Sequence, residues 1–92
     1  MSIGIDNYQI EAWIIRLGSM PIQRIAHQDL GQNYAIRQAH ALKLENGKYA
    51  LVIEDGCSCY DPSKASIEIH PTKTSVIKAF EGWVKENRGM MI

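Results

Sequence analysis

The sequence lacks a long run of apolar residues. Its longest runs, residues 12–15 and 49–53, fall far short of the roughly 18 residues that a membrane-spanning helix needs. The N-terminus has neither a basic segment nor a long apolar run, which argues against a secretory signal peptide. We therefore predict a cytoplasmic protein without membrane contact.

The chain also lacks an excess of charge of either sign, and it lacks most of the sequence motifs that indicate catalytic or ligand-binding sites. Ten basic residues balance ten acidic ones, so no global field attracts nucleic acid, and a nucleic-acid partner is not expected. Phosphate-binding, dinucleotide-binding and HExxH signals are absent. Two cysteines cannot build a disulfide framework, in keeping with a reducing compartment. We predict a protein that is not an enzyme and has no cofactor.

What is present indicates one domain, residues 1–92, with 46 % apolar residues. Residues 7–17 predict a helix, because four large apolar residues follow the spacing of one helix face. Asp6 and Gln9 are placed as in a capping box, and Gly18 stands where a helix commonly ends. The four residues of that face are Ile10, Trp13, Ile14 and Leu17.

Residues 20–44 leave helix and strand in competition. Pro21 is typical of a helix start, and we predict a short helix at residues 21–29. Asn46-Gly47 is a strong hairpin signal, because a tight turn of this kind needs positive φ at both central residues. We therefore predict strands at residues 38–44 and 49–54, joined by a turn.

The rest of the chain predicts a loop at residues 55–64, a strand at 66–70 and an amphipathic helix at 75–88. Gly82 within that helix is expected to allow close approach to the sheet. Together, the predicted helices and strands give an α+β fold in the order α-(α)-β-β-β-α. A small three-stranded antiparallel sheet has one face covered by the helices and one left open.

The loop carries both cysteines, as Cys57-Ser-Cys59. Two thiolates with His70 would be candidate zinc ligands, although the C-x-C spacing is not that of common zinc sites. A redox pair is the second interpretation and requires a strained disulfide. Burial of both thiols as packing residues is the interpretation we favour. The residues expected to make contacts in this loop are Asp55, Cys57, Cys59, Tyr60, Asp61 and Lys64.

Two resemblances follow from these motifs. Asp55-Gly-Cys-Ser-Cys-Tyr60 after an apolar strand resembles short uncharacterised bacterial and bacteriophage proteins with a Gly-Cys-Ser-Cys segment. That resemblance implies a prokaryotic or phage accessory protein and brings no activity. The order α-β-β-β-α is similar in topology to the double-stranded-RNA-binding domain, but the lysine-rich start of that family's last helix is missing.

We predict a small non-catalytic binding module that contacts another protein through the loop and the apolar C-terminal tail. A homodimer is a second possibility, formed through the open sheet face or through an edge strand at residues 38–44. The alternatives are a thiol site, metal-binding or redox, at Cys57 and Cys59, and a weak nucleic-acid binder.

Overall fold

The computed structural model describes residues 3–57 and 59–89. The elements in chain order are α1 (Asn7–Leu17), β1 (Pro21–Asp29), β2 (Ala35–Leu44), β3 (Tyr49–Cys57), β4 (Ser66–His70) and α2 (Lys73–Gly89). The strands form one antiparallel sheet in the order β1-β2-β3-β4. The fold is α+β, but the predicted three-stranded sheet is wrong, because the described residues contain a fourth strand. The topological resemblance to the double-stranded-RNA-binding domain depended on three strands and is not retained.

Helix α1 begins and ends where its cap residues predict. The backbone N–H of Asp6 donates to Gln9 Oε1 at 3.3 Å, and the backbone N–H of Gln9 donates to the carbonyl of Asp6. Gly18 has a φ of 72°, and its N–H donates to the carbonyl of Ile14 at 3.0 Å. These bonds satisfy backbone groups that a helix otherwise leaves unpaired at its ends.

Residues 21–29 form strand β1, so the predicted short helix is wrong. The ladder between β1 and β2 has two register shifts, both in the first half of β1. An extra residue in a strand interrupts the two-residue alternation of its side chains. The residues without a ladder partner at the two shifts are Ile22 and Ile25. They lie three positions apart, which is the spacing of a helix.

Strands β2 and β3 form the predicted hairpin, but both are longer than predicted. The turn closes through the N–H of Leu44, which donates to the carbonyl of Lys48 at 2.9 Å, and Gly47 has a φ of 88°. Strand β2 begins at Ala35, and β3 continues to Cys57. Because β1 and β3 flank β2, the strand expected at the sheet edge is an interior strand.

The two helices pack on opposite faces of the sheet. On the α1 face, Trp13 and Leu17 are buried with Leu42, Leu44 and Val52. The α2 face packs through Ala39, Ala41, Leu51, Val76, Phe80 and Trp83. The expectation of one open sheet face is therefore wrong, since each face has its own helix.

Helix α2 begins two residues earlier than predicted, at Lys73. The hydroxyl of Thr72 accepts from the backbone N–H of Ser75 at 3.1 Å, which is the capping bond expected of a threonine there. A Cβ placed on Gly82 would have no neighbour within 4 Å. Gly82 therefore does not serve close packing on the sheet, and that expectation is wrong.

Candidate functional site

The contact loop, which we define as residues 55–64, is partly strand. Asp55 and Cys57 belong to β3, while Pro62–Lys64 form a short 3-10 helix before β4. The backbone N–H of Tyr60 donates to the carbonyl of Cys57 at 2.9 Å, turning the chain back directly after the strand. The C-terminal tail, the other predicted contact segment, lies at residues 90–92, outside the described residues.

Side chains of α1 hold the contact loop against the body of the protein. The indole N–H of Trp13 donates to the carbonyl of Pro62 at 2.9 Å. Arg16 donates to the carbonyl of Ser63 at 2.8 Å and also to the carbonyl of Ala65. The loop is thus tied to a rigid element through three backbone carbonyls in or next to its C-terminal end.

The loop also stabilises itself through Asp61 and Tyr60. The carboxylate of Asp61 accepts the backbone N–H of Ser63 at 2.9 Å, and this bond lowers the pKa of Asp61. A Cβ on Gly56 would lie 2.7 Å from the ring of Tyr60, so the ring needs a glycine beneath it. Burial raises the pKa of Tyr60 to about 12, so this phenol stays protonated at neutral pH.

The two thiols lie together and face solvent. Sγ of Cys57 and Sγ of Cys59 are 2.8 Å apart, and both cysteines are free and exposed. The favoured interpretation of buried packing residues is therefore wrong. The hydrogen bond between them lowers the pKa of Cys57 and raises the pKa of Cys59, as in a pair that shares one proton. We call Cys57 and Cys59 the thiol pair.

His70 is not brought to the thiol pair. It lies opposite Tyr49, at the other end of β3 from Cys57. The span from residue 49 to residue 57 is about 27 Å at roughly 3.4 Å per residue. Nδ1 of His70 is instead 2.6 Å from the hydroxyl of Ser75. Within residues 3–57 and 59–89, no three His, Cys, Asp or Glu side chains are grouped so that they could hold a metal ion.

Asp55 and Lys64, the remaining predicted contact residues, are both exposed. Asp55 lies opposite Arg37 in the ladder, with 3.9 Å between Oδ1 and Nε. Such an exposed pair is worth at most about 1 kcal/mol. These residues shape the charge of the contact loop more than its stability.

A polar cluster beneath α1 was missed by the sequence reasoning. Oε1 of Glu54 accepts hydrogen bonds from the amides of Gln9 at 3.2 Å and Gln38 at 3.1 Å, and from Nε2 of His40 at 2.9 Å. His40 and Glu54 are each 2 % exposed, so these bonds replace those that water would make. We call these four residues the Glu54 cluster.

Aromatic rings enclose the imidazole of His40. His27 lies opposite it on β1 with the two rings stacked, 4.7 Å between centroids. The ring of the buried Trp13 is 5.6 Å from that of His40 between centroids, with the two planes tilted by 50°. Burial lowers the pKa of His40, and the hydrogen bond to Glu54 only partly offsets this. A neutral imidazole with its proton on Nε2 fits, since the buried Nδ1 has no partner among the described residues.

A signal for the Glu54 cluster is present in the sequence. His40 alternates with Leu42 and Leu44 on one strand face, and Glu54 alternates with Val52 on the next strand. Polar residues that continue a buried strand face need hydrogen-bond partners inside the protein. The cluster has no opening to solvent at either titratable residue, so it is suited to holding α1 on the sheet and not to binding a substrate.

Comparison with known proteins leaves the family open. Neither the family models, nor the curated proteins, nor the solved structures gave a match to this chain. The resemblance to proteins with a Gly-Cys-Ser-Cys segment, and the prokaryotic or phage origin it implies, therefore stay predictions. No helix within the described ranges has both the length and the apolar character needed to cross a membrane.

Proposed function

We propose that this chain is a small binding module that engages a protein partner through the contact loop, by stoichiometric thiol–disulfide exchange at the thiol pair. The observation that carries the proposal is the 2.8 Å separation of two exposed sulfur atoms. Thiol reactivity requires access and a thiolate, and the hydrogen bond within the pair favours the thiolate of Cys57.

The exchange balances with a partner disulfide as the oxidant. One thiol loses its proton, and the resulting thiolate attacks a partner sulfur, forming a mixed disulfide and releasing one partner thiolate, which is protonated. The second cysteine then attacks its neighbour's sulfur, closing the Cys57–Cys59 disulfide and releasing the other partner thiol. Two electrons pass from the chain to the partner. Because the disulfide of a C-x-C pair is strained, this direction requires a partner disulfide that is itself strongly oxidising.

The number of ligands favours a disulfide over a metal ion. Sulfur atoms on one tetrahedral zinc ion are about 3.8 Å apart, given Zn–S bonds of about 2.3 Å. The thiol pair would need to open by about 1 Å for zinc and to close by about 0.8 Å for a disulfide of about 2.05 Å. These movements are similar in size. A structural zinc site needs four ligands, however, and in the described ranges the pair has no third.

The site's setting favours a protein as the partner. Loops held on a rigid scaffold commonly carry contacts between proteins, and this loop is anchored by Trp13 and Arg16. In the cytoplasm that the sequence predicts, the pair would be kept reduced and would start each exchange as a dithiol.

Titration with 2-hydroxyethyl disulfide, a small neutral oxidant, tests the proposal by mass spectrometry. We expect the wild-type chain to lose two hydrogen atoms without keeping an adduct. The matched variant Cys59→Ser, which cannot close the ring, should keep one hydroxyethylthio adduct on Cys57. A wild-type chain that stays a dithiol, or that keeps adducts on both sulfurs, would contradict the proposal. Stoichiometric zinc in the purified wild-type chain would favour the metal alternative instead.

A further inference from the structure

Helix α1 presents a row of mostly apolar side chains to solvent. Ile15 is 90 % exposed and Tyr8 is 60 % exposed. They are seven residues apart, so they lie on one helix face, about 10.5 Å from each other along the axis. The half-buried Ala12 lies between them on the same face. We call Tyr8, Ala12 and Ile15 the outer stripe.

The two large residues of the outer stripe do not hold the fold together. The opposite face of α1 packs on the sheet through the buried residues Trp13 and Leu17, and neither Tyr8 nor Ile15 belongs to a core cluster of the described residues. Isolated exposed apolar residues are common on protein surfaces. A row of them on one helix face is instead typical of a helix that packs against a second helix.

Charges of opposite sign flank the outer stripe. Successive residues of a helix are turned by about 100°, which places Glu11 on one side of the stripe and Arg16 on the other. Both are exposed, and neither forms an ion pair within residues 3–57 and 59–89. Arg16 is held by the carbonyls of Ser63 and Ala65. These acceptors carry no net charge, so they leave its positive charge available.

The outer stripe and its flanking charges are complementary to a second copy of themselves. The stripe supplies positions d, a and d of a coiled-coil heptad, with Glu11 at position g and Arg16 at the following e. In a parallel pair of helices, each g side chain lies beside the e side chain five residues further along the other helix. Glu11 of each copy then lies beside Arg16 of the other. An antiparallel pair would bring the two Glu11 carboxylates together, so the charges favour the parallel arrangement.

We propose that two copies of this chain associate through their outer stripes, with the two α1 helices parallel about a two-fold axis. This association needs neither cysteine, so it holds or fails independently of the proposed thiol–disulfide exchange. Helix α1 has 11 residues. An interface built on it is at the small end of protein interfaces, and we expect a dissociation constant on the order of 100 µM.

Sedimentation between about 10 µM and 1 mM protein, a range that brackets this constant, tests the proposal. The chain measured carries Cys57→Ser and Cys59→Ser, so that no native disulfide joins the copies. Ile15→Gln should weaken the association at least about tenfold, because it removes apolar contact from the stripe. Glu11→Lys should also weaken it about tenfold, since like charges then face each other on both sides of the axis. Circular dichroism checks that both variants stay folded.

Ile69→Gln is the matched control, because it makes the same change at an isoleucine that is 41 % exposed on the edge strand β4. It should leave the dissociation constant unchanged. A wild-type chain that stays monomeric at about 1 mM would overturn the proposal, since the expected constant is about tenfold lower. An association that Ile69→Gln weakens and Ile15→Gln does not would overturn it too, and would assign the contact to the sheet edge.

Tyr8→Cys in the same cysteine-free background tests the direction of the helices. In the parallel pair the two introduced thiols face each other, and mild oxidation should join the copies through a disulfide. In an antiparallel pair they would be about 10.5 Å apart along the axis, beyond the roughly 7 Å between Cα atoms that a disulfide can span. A dimer that forms no such disulfide would overturn the parallel arrangement.

Discussion

Glu54 is a buried acceptor whose donors come from both α1 and β2. Its carboxylate takes hydrogen bonds from Gln9, Gln38 and His40. A buried polar network of this kind is costly when a donor or acceptor loses its partner, because that group cannot turn to water. The packing of α1 on the sheet is therefore supported by the bond from Gln9 to Glu54 as well as by apolar contacts.

The stability of the protein should fall as the pH falls below 6.5. Burial holds the pKa of His40 below the value of 6.5 expected in the unfolded chain. At a pH between these two pKa values, the unfolded chain binds a proton that the folded chain does not. The free energy of unfolding therefore decreases as the pH falls through this range. Each unit of difference between the two pKa values contributes about 1.4 kcal/mol. Above pH 6.5 this contribution is constant.

Urea unfolding of the wild type and of His40→Gln between about pH 8 and pH 5 measures this effect. The wild type should lose stability over this range more steeply than the variant, whose glutamine can still donate to Glu54. His70→Gln, which leaves His40 in place, is the control and should keep the steeper dependence. Should His40→Gln not fold, a titration of the wild type by NMR gives the pKa of His40 directly. A value at or above the unfolded value of 6.5 would refute the prediction.

Helices and strands were predicted correctly where neighbouring signals in the sequence agreed with one another. The capping box and Gly18 placed α1 correctly, and Asn46-Gly47 placed the β2–β3 hairpin. Strand β1 was missed because Ile22 and Ile25, which stand at its two register shifts, are spaced as on a helix face. The Glu54 cluster was missed for another reason. Strand alternation places His40 and Glu54 on a buried face, but it does not give their partner Gln9, which lies 45 positions from Glu54.

The sequence also did not predict that the two helices lie on opposite faces of the sheet, or that the thiols are exposed. Each helix shows an apolar face, but the pattern does not say which side of the sheet that face covers. The face expected to be open carries the small residues Ala39 and Ala41, and they provide the surface on which α2 packs. The predicted strand ended at residue 54, short of the observed end at Cys57, so its alternation carried no information on the direction of the thiols.

Two glycine substitutions should change stability in opposite directions. Gly82 lies inside α2, and a methyl group added to it would have no neighbour within 4 Å, so Gly82→Ala should stabilise the protein by about 1 kcal/mol through helix propensity. Gly31→Ala would push a methyl group against the carbonyl of Ala35 and should cost about 1–3 kcal/mol. Urea unfolding curves of both variants check this. Equal stability of the two variants would contradict the prediction, because it would show that the turn before β2 accommodates the added methyl group without a cost in free energy.

For the whole molecule, the proposed site and the core are separate. The thiol pair is exposed at one end of the sheet, and neither cysteine belongs to a core cluster of the described residues. The double variant Cys57→Ser, Cys59→Ser should therefore change the free energy of unfolding by less than about 0.5 kcal/mol, while it abolishes exchange. A loss of several kcal/mol on chemical unfolding would mean that the sulfur atoms are structural. Val76→Ala, in the core, is the positive control and should cost about 1–3 kcal/mol.

The homodimer stays a prediction, but the two surfaces first expected to form it are not available. Helices cover both sheet faces, and the strand expected at the edge is interior. Strand β1 is an edge strand, but its register shifts and its charged side chains are features that discourage pairing between sheets. Strand β4 is the other edge of the sheet, so self-association would use that edge or a surface outside the sheet.

The order of the strands in the sheet has a consequence for how the chain folds. Every strand pairs with its neighbour in sequence, so each ladder closes only a short loop and forms at a small cost in chain entropy. The hairpin of β2 and β3 needs the least chain and is suited to forming first. Helix α1 is different, because its bond from Trp13 to Pro62 spans 49 residues. We expect the docking of this N-terminal helix to be the last event and the one that sets the folding rate.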